Sequence, residues 1–363
     1  MRRLKLGVVG VGHLGQAHAR VLAESPGVEL VGVVDTNPDQ AAAVADRHGA
    51  KVFDSHADLA ECVDAACIVV PTVHHYMVAC DFLKRGIPLL IEKPLAINLE
   101  QATELVDLSR THRAILQVGH IERFNPAYEE LRTRTIRPKF VECERHGTFT
   151  GRSIDIGCVL DLMIHDLDLL LDLIGGPVVE VEAIGAAVFG GHEDMANARL
   201  RFADGCVAHL TASRMSPNPK RKLRIWAPEG YAGIDFVERR ITLVRPSDEL
   251  RRRGIPPARL DPTKRHQLQN QIFTRYLETL DKNCDRGDQL TRELHHFLAC
   301  VRTGRTPRVT GEDGRDAIAL ATRVLESMNR HQWENRPDGP TGPDELPKPA
   351  GDLLADGLDC AAA

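Results

Sequence analysis

Three groups of residues in this chain carry chemistry. Lys93 stands in Glu92-Lys93-Pro94, at the end of the apolar run Pro88–Glu92. An ammonium there can polarise a hydroxyl or carbonyl oxygen and stabilise negative charge developing on it. Asp161 and His165 lie four positions apart in an otherwise apolar stretch. An imidazole ionises near neutral pH, so His165 is suited to accept a hydroxyl proton as a general base. Asp161, one helical turn earlier, can orient that ring or bind a substrate hydroxyl. Burial could instead make Lys93 the base, and the residues alone leave that choice open. The third group is Gly10-Val-Gly12-His-Leu-Gly15.

The elements that must hold these groups follow from periodicity. Leu4–Gly10 reads as a buried strand and Leu14–Ala23 as a helix, with Glu29–Asp35 as the next strand. The glycines therefore occupy a strand-to-helix turn. Gly10 permits the tight turn, Gly12 lets backbone approach a pyrophosphate, and Gly15 permits close helix packing. His13 and Leu14 open the helix, whose free N–H groups suit phosphate. Asp35, twenty positions after Gly15, ends the second strand and can accept hydrogen bonds from ribose hydroxyls. It would repel a 2′-phosphate, and Thr36 and Asn37 supply no cation, so NAD is favoured over NADP.

Further helices (Pro38–His48, Tyr76–Arg85, and one capped by Asn98) alternate with strands at Lys51–Phe53, Ala65–Pro71, Pro88–Glu92 and Ala114–Val118. That alternation predicts a doubly wound parallel sheet of the Rossmann type. Beyond residue 120 the pattern becomes strand after strand: Val178–Val188, Ala196–Phe202, Cys206–Ser213, Lys222–Ala227, Tyr231–Val237 and Ile241–Arg245. Short turns between them, such as Asp204-Gly205, predict an α+β domain with an open antiparallel sheet. The expected division is 1–120, 121–333 and a disordered tail over 334–363, rich in Pro, Gly and Asp. A closing helix near 313–329 is a candidate to pack back on the first domain.

Residues Cys158–Leu173 read as an apolar helix with one polar stripe, Asp161, His165, Asp168 and Asp172. At about 1.5 Å per residue the stripe runs roughly 16 Å, too long for one small substrate. Asp161 and His165 are expected in a cleft, Asp168 and Asp172 in water or in structural hydrogen bonds. No metal is expected: adjacent histidines such as His74-His75 and His295-His296 diverge by about 100° on a helix. The chain has no HxxxH or HExxH spacing.

GVGHLG at 10–15, PTVHH at 71–75, EKPLA at 92–96, GHIERFNPA at 119–127, DLMIHD at 161–166 and TGEDGRDA at 310–317 together resemble the Gfo/Idh/MocA family of NAD(P)-dependent oxidoreductases. The resemblance spans nearly all of residues 4–330. It implies that Pro71 and His75 line the cofactor site. Glu92 and Lys93 would sit beside nicotinamide and substrate, with Asp161 and His165 facing the substrate carbon. GHIERFNPA resembles the subgroup that oxidises the 3-hydroxyl of UDP-N-acetylglucosamine or a related uronic acid. His120, Arg123 and Asn125 are then candidate substrate contacts, with junction hydrogen bonds as the alternative. Ser213-Arg214 and the run Lys220-Arg221-Lys222-Leu-Arg224 suit a diphosphate, or else form a solvated flank. A free-sugar or inositol dehydrogenase, a glycosidase using bound NAD and a non-catalytic NAD-binding regulator are the competing readings. The family's open sheet implies a homo-oligomer.

Composition is consistent with this. The chain has 363 residues, 43% hydrophobic and 27% charged, with a net charge of −5 and 4% aromatics. There is no basic field for nucleic acid and little aromatic surface for stacking bases. No apolar run is long enough for a membrane span, and the N-terminal apolar stretch is too short for a signal peptide. Nine cysteines without a CxxC pair suit reduced thiols in a cytoplasm.

Overall fold

Short apolar strands and intervening helices fill residues 4–119 and build one parallel sheet. The structure, a computed structural model, describes residues 2–149, 151, 155–189, 191–256, 258, 260–285, 287–335 and 339–345. The first sheet comprises β1 (Leu4–Val9), β2 (Val28–Val34), β3 (Lys51–Val52), β4 (Ala65–Ile68), β5 (Leu89–Glu92) and β6 (Leu116–Gly119). Its order is β3-β2-β1-β4-β5-β6, with every pairing parallel. β4, β5 and β6 are buried throughout, as strands covered on both faces must be. The crossovers are α1 (His13–Glu24), α2 (Pro38–His48), α3 (His56–Ala60), α4 (Thr72–Leu83) and α5 (Leu99–Thr111). Asn37 and Asn98 cap α2 and α5 by accepting from Gln40 N and Gln101 N. Strand order reverses between β1 and β4, which opens a crevice beyond the strand ends where Gly10, Pro71 and Lys93 lie.

A 3₁₀ turn (Ile121–Phe124) and α6 (Pro126–Arg132) lead into the second sheet. It contains β7 (Phe140–His146), β8 (Val178–Ala186), β9 (Met195–Phe202), β10 (Val207–Ser213), β11 (Lys220–Ala227), β12 (Gly230–Asp235), β13 (Arg240–Pro246) and β14 (Leu277–Asn283). The order is β14-β13-β12-β11-β7-β10-β9-β8. One pair, β7 with β10, is parallel and the others are antiparallel. The central β7 escapes sequence reading because its inward positions are Val141, Cys143 and then Arg145, so a cation breaks the alternation. β14 is an edge strand with almost no buried side chain, so it has no apolar pattern to detect.

The helix expected over Cys158–Leu173 begins as a π turn (Val159–Met163) and continues as α7 (Ile164–Ile174). After β13 come α8 (Asp248–Arg253) and α9 (Pro262–Gln271), followed beyond β14 by α10 (Gln289–Thr303) and α11 (Gly311–Arg330). α10 does not stay with the second sheet: Leu290, Leu294, Phe297 and Leu298 share a core with Leu6, Val21 and Leu22. α11 serves both units. Ala317 and Ile318 pack with Leu95 and Val118, while Leu320, Val324 and Met328 join the core of the second sheet. Part of the segment expected to be disordered is placed, because Trp333 anchors it: its Nε1 donates to Gly342 O at 2.8 Å, and Ala187 N donates to Pro343 O at 2.9 Å. The rest of that expectation, 336–338 and 346–363, lies outside the described residues.

α11 reaches β6 this closely only because glycine faces the strand. A Cβ at Gly314 would lie 2.7 Å from Val118 Cγ2, a stiff β-branched side chain. Gly314→Val should therefore lower stability by about 1–3 kcal/mol or more through overpacking, read as a drop in the urea midpoint.

Candidate active site

The glycine turn is shaped as a dinucleotide cradle. Gly10 has φ 86°, and a Cβ there would meet Val69 O at 2.4 Å. A Cβ on Gly15 would meet Gly10 O at 2.0 Å, so the helix can approach the turn only with glycine. Gly12 has nothing nearer than Gln40 Nε2 at 3.9 Å and caps α1 without a side-chain bond, leaving open space over free N–H groups. His13 and Leu14 are exposed there. Asp35 Oδ2 accepts from Val11 N at 2.7 Å and Oδ1 from Asn37 N at 2.9 Å, so the carboxylate ties β2 to the turn. These residues fit NAD: the cradle takes the pyrophosphate, and Asp35 retains lone pairs for a ribose.

On the far side of the crevice Pro71 is exposed and His75 is buried. His75 Nδ1 lies 2.8 Å from Pro94 O and Nε2 2.9 Å from Val70 O, so its ring clamps the segment carrying Lys93 rather than lining open space. Glu92 is also buried. Its Oε1 is 3.0 Å from His18 Nε2, and its Oε2 accepts from Lys93 N at 3.3 Å. Burial opposes the Glu92 charge, but His18 and Lys93 outweigh it and hold the carboxyl below its usual range.

Lys93 and the π turn meet across the junction. Lys93 Nζ donates to Asp161 O at 2.7 Å and to Asp161 Oδ1 at 2.8 Å. Asp161 therefore holds Lys93, not the His165 ring. His165 Nδ1 is buried without a partner, and the ring lies edge-on to His120 with centroids 6.2 Å apart. His120 is itself buried with both nitrogens unpaired. Burial, then the charges of Lys93 and Arg145, hold His165 well below the usual imidazole range, so its ring is neutral at pH 7.

Three expected substrate contacts have internal partners instead. Arg123 is buried and forks onto Asp168 at 2.8 and 2.7 Å, with Asp172 3.1 Å away. Asn125 caps α6 through Ala127 N at 3.0 Å, and its amide donates to Glu122 and to Phe236 O. Arg214 is buried against Asp194 and Ile156 O. Arg123 ties the 3₁₀ segment to α7, and Asn125 ties it to α6 and to Phe236, which are structural bonds of the kind the junction alternative describes. The polar stripe of α7 lies along that seam: Asp168 is buried, and Asp172 accepts from the Tyr128 hydroxyl at 2.5 Å.

Sequence reasoning missed His18, Glu122, Arg145 and Glu293. Arg145 is fully buried and binds Asp166 at 3.0 and 2.8 Å and Glu122 at 2.8 Å. These partners lie too far apart in the chain for spacing to reveal them. Among the described residues, no cluster of His, Cys, Asp or Glu is arranged to hold a metal ion.

Residues 4–120 match the oxidoreductase family with an NAD-binding Rossmann fold. Residues 129–232 match the GFO/IDH/MocA C-terminal domain, and 244–334 the oxidoreductase-family C-terminal alpha/beta domain. UDP-N-acetylglucosamine 3-dehydrogenase of Acidithiobacillus ferrooxidans is 36% identical over 329 residues, covering 89% of this chain and 97% of the relative. The chain belongs to the Gfo/Idh/MocA oxidoreductase family. A solved structure of the Acidithiobacillus enzyme superposes with a TM-score of 0.79 at 34% identity, covering 90% of this chain and 98% of that one. The scyllo-inositol 2-dehydrogenase (NAD(+)) of Bacillus subtilis is 27% identical, covering 90% of this chain and 94% of its own length.

Behind the crevice this Gfo/Idh/MocA chain encloses a second carboxyl. Glu293 of α10 is fully buried with both oxygens unpartnered, near Gln117, whose amide donates to Glu293 O at 3.3 Å. Burial, then the negative Glu92, push Glu293 far above the usual carboxylate range, so it folds as a neutral acid. A raised folded value stabilises fully below the unfolded value and progressively less as pH rises. Glu293→Gln should therefore raise the melting temperature relative to wild type more at pH 8 than at pH 5. Arg123→Ala should cost about 3–5 kcal/mol in chemical denaturation by stranding Asp168 in the core; a substrate contact would instead change KM with little loss of stability.

Proposed function

We propose that this chain oxidises a secondary hydroxyl of a sugar nucleotide with NAD, the 3-hydroxyl of UDP-N-acetylglucosamine being the first candidate. The observation that carries the reading is the Lys93 ammonium, fixed through two bonds to Asp161, four residues before His165, whose Nδ1 has no partner. An ammonium has three donors, so one remains for a substrate oxygen. His165 takes the hydroxyl proton as a neutral base, and Lys93 stabilises the negative charge building on that oxygen. NAD, when bound, supplies the hydride acceptor. Asp161 is a positioning residue, and His120, edge-on to His165, restricts how the ring can turn. The glycine turn, Asp35 and Pro71 hold the dinucleotide, with His75 and Glu92 bracing the segment beneath Lys93.

The substrate choice rests on the 36% identity to the UDP-N-acetylglucosamine 3-dehydrogenase. The inositol dehydrogenase likeness favours a free polyol as the second reading. NADH formation measured across UDP-sugars, free sugars and inositols separates the two. The protein is also proposed to work as a homo-oligomer in the cytoplasm. The face of the second sheet away from its helices carries the rings of Phe140, Trp226 and Tyr231, tilted and edge-to-face with centroids 5.3 and 5.4 Å apart. Every described cysteine is a free thiol.

Lys93→Met and His165→Ala should each lower kcat/KM by about 10²–10⁴-fold while NAD still binds, measured by NADH absorbance and NAD titration. Turnover retained in both would remove them from the reaction. Because the folded His165 value is depressed, its base form persists as pH falls. The acid limb of wild-type kcat/KM should lie below about pH 6.5, the ordinary imidazole value.

A further inference from the structure

Strand pairing sets two arginines side by side near the reacting residues. Arg145 of β7 is directly opposite Arg221 of β11. Both lie on the face that buries Cys143 and Leu223 beneath α7. Like charges in that arrangement are unfavourable unless anions intervene. Arg145 has its anions, with bonds to Asp166 and Glu122 of 3.0 Å or less. Arg221 does not share them. Its side chain is half exposed, and the one carboxylate oxygen near it, Glu122 Oε1 at 4.0 Å, already accepts from Arg145 at 2.8 Å. No hydrogen bond from the Arg221 guanidinium is made to any described residue.

The other cations of this run are neutralised on the opposite face. Lys220 binds Glu144 at 2.7 Å, Lys222 lies 3.4 Å from Asp235, and Arg224 pairs with Glu142 and Glu144. Arg145, directly opposite Arg221, binds Asp166, the residue that follows His165, so the strand pairing carries Arg221 to the same end of the sheet as α7. Arg221 also borders a recess of about 370 Å³ at the end of β11, lined with it by His146, Ser216, Asn218, Lys222, Asp235 and Glu238, within the size range of small-molecule sites. Its carbonyl accepts from Phe236 N at 2.9 Å, so the residue is held on a paired strand rather than on a loop.

We propose that Arg221 binds the diphosphate of a sugar-nucleotide substrate whose sugar ring lies between Lys93 and His165. This rests on the sugar-nucleotide reading above and assigns that substrate its charged anchor. The guanidinium fork matches phosphate oxygens in a bidentate geometry that a lysine cannot reproduce. Five donors, whose nearest carboxylate oxygen is already bonded to Arg145, half open to solvent on the face of the sheet that meets α7, are what such a ligand requires.

The test compares wild type with Arg221→Gln and Arg221→Lys. The readouts are kcat/KM for UDP-N-acetylglucosamine, the inhibition constant of UDP alone, and NAD affinity as a check of folding. The glutamine variant should weaken UDP inhibition and lower kcat/KM by at least about tenfold each, with NAD affinity retained. The lysine variant should recover only part of the loss. UDP inhibition unchanged in Arg221→Gln, with wild-type turnover of the UDP-sugar intact, overturns the role of Arg221 and leaves the substrate reading standing. A wild-type protein that neither oxidises UDP-sugars nor responds to UDP overturns both.

Discussion

The structure depends on the meeting of Lys93 with Asp161. One residue follows a parallel strand of the first domain and the other sits in the middle of the π turn of the second, and two bonds of 2.7 and 2.8 Å join them. Bonds to a charged donor in a largely dry cleft are stronger than their surface counterparts. The contact therefore sets the ammonium in place and also fixes the approach of the two sheets at the point where chemistry is proposed. His75 supports it from below, gripping Pro94 O, while Glu92, bonded to His18, braces the strand end.

Around this contact Ile164 and Phe124 enter the apolar core of the first sheet, and buried ion pairs tie together the elements that follow β6. Arg123 with Asp168 and Asp172, and Arg145 with Asp166 and Glu122, connect the 3₁₀ segment, α7 and β7. Such pairs are weak sources of net stability because desolvation offsets their attraction. Their geometric demands are strict, however, and a seam made of them tolerates few alternative dockings.

The dinucleotide end was legible in the sequence because its requirements are local. Gly10 must adopt a positive φ, Gly15 must clear Gly10 O, and Asp35 must end the next strand. Long-range partners left no such mark. Arg123 lies in a motif that suggests ligand binding, yet its carboxylate partner is 45 residues away. Arg145 hid β7 by placing a cation where alternation demands an apolar residue. The π turn changes hydrogen-bond register without changing composition, so a helix of ordinary pitch was the natural expectation for Cys158–Leu173. The meeting of Lys93 with the Asp161 segment was expected from family resemblance, since nothing in the spacing of residues 93 and 161 requires it.

The return of α10 to the first sheet bears on how the chain matures during synthesis. Leu290, Leu294 and Phe297 complete a core whose other members, such as Leu6, Leu22 and Val33, are made more than 250 residues earlier. The dinucleotide unit is thus not an autonomous block that finishes early. Its apolar flank stays uncovered until α10 has been made, so final closure of the nucleotide-binding half waits on a segment far downstream.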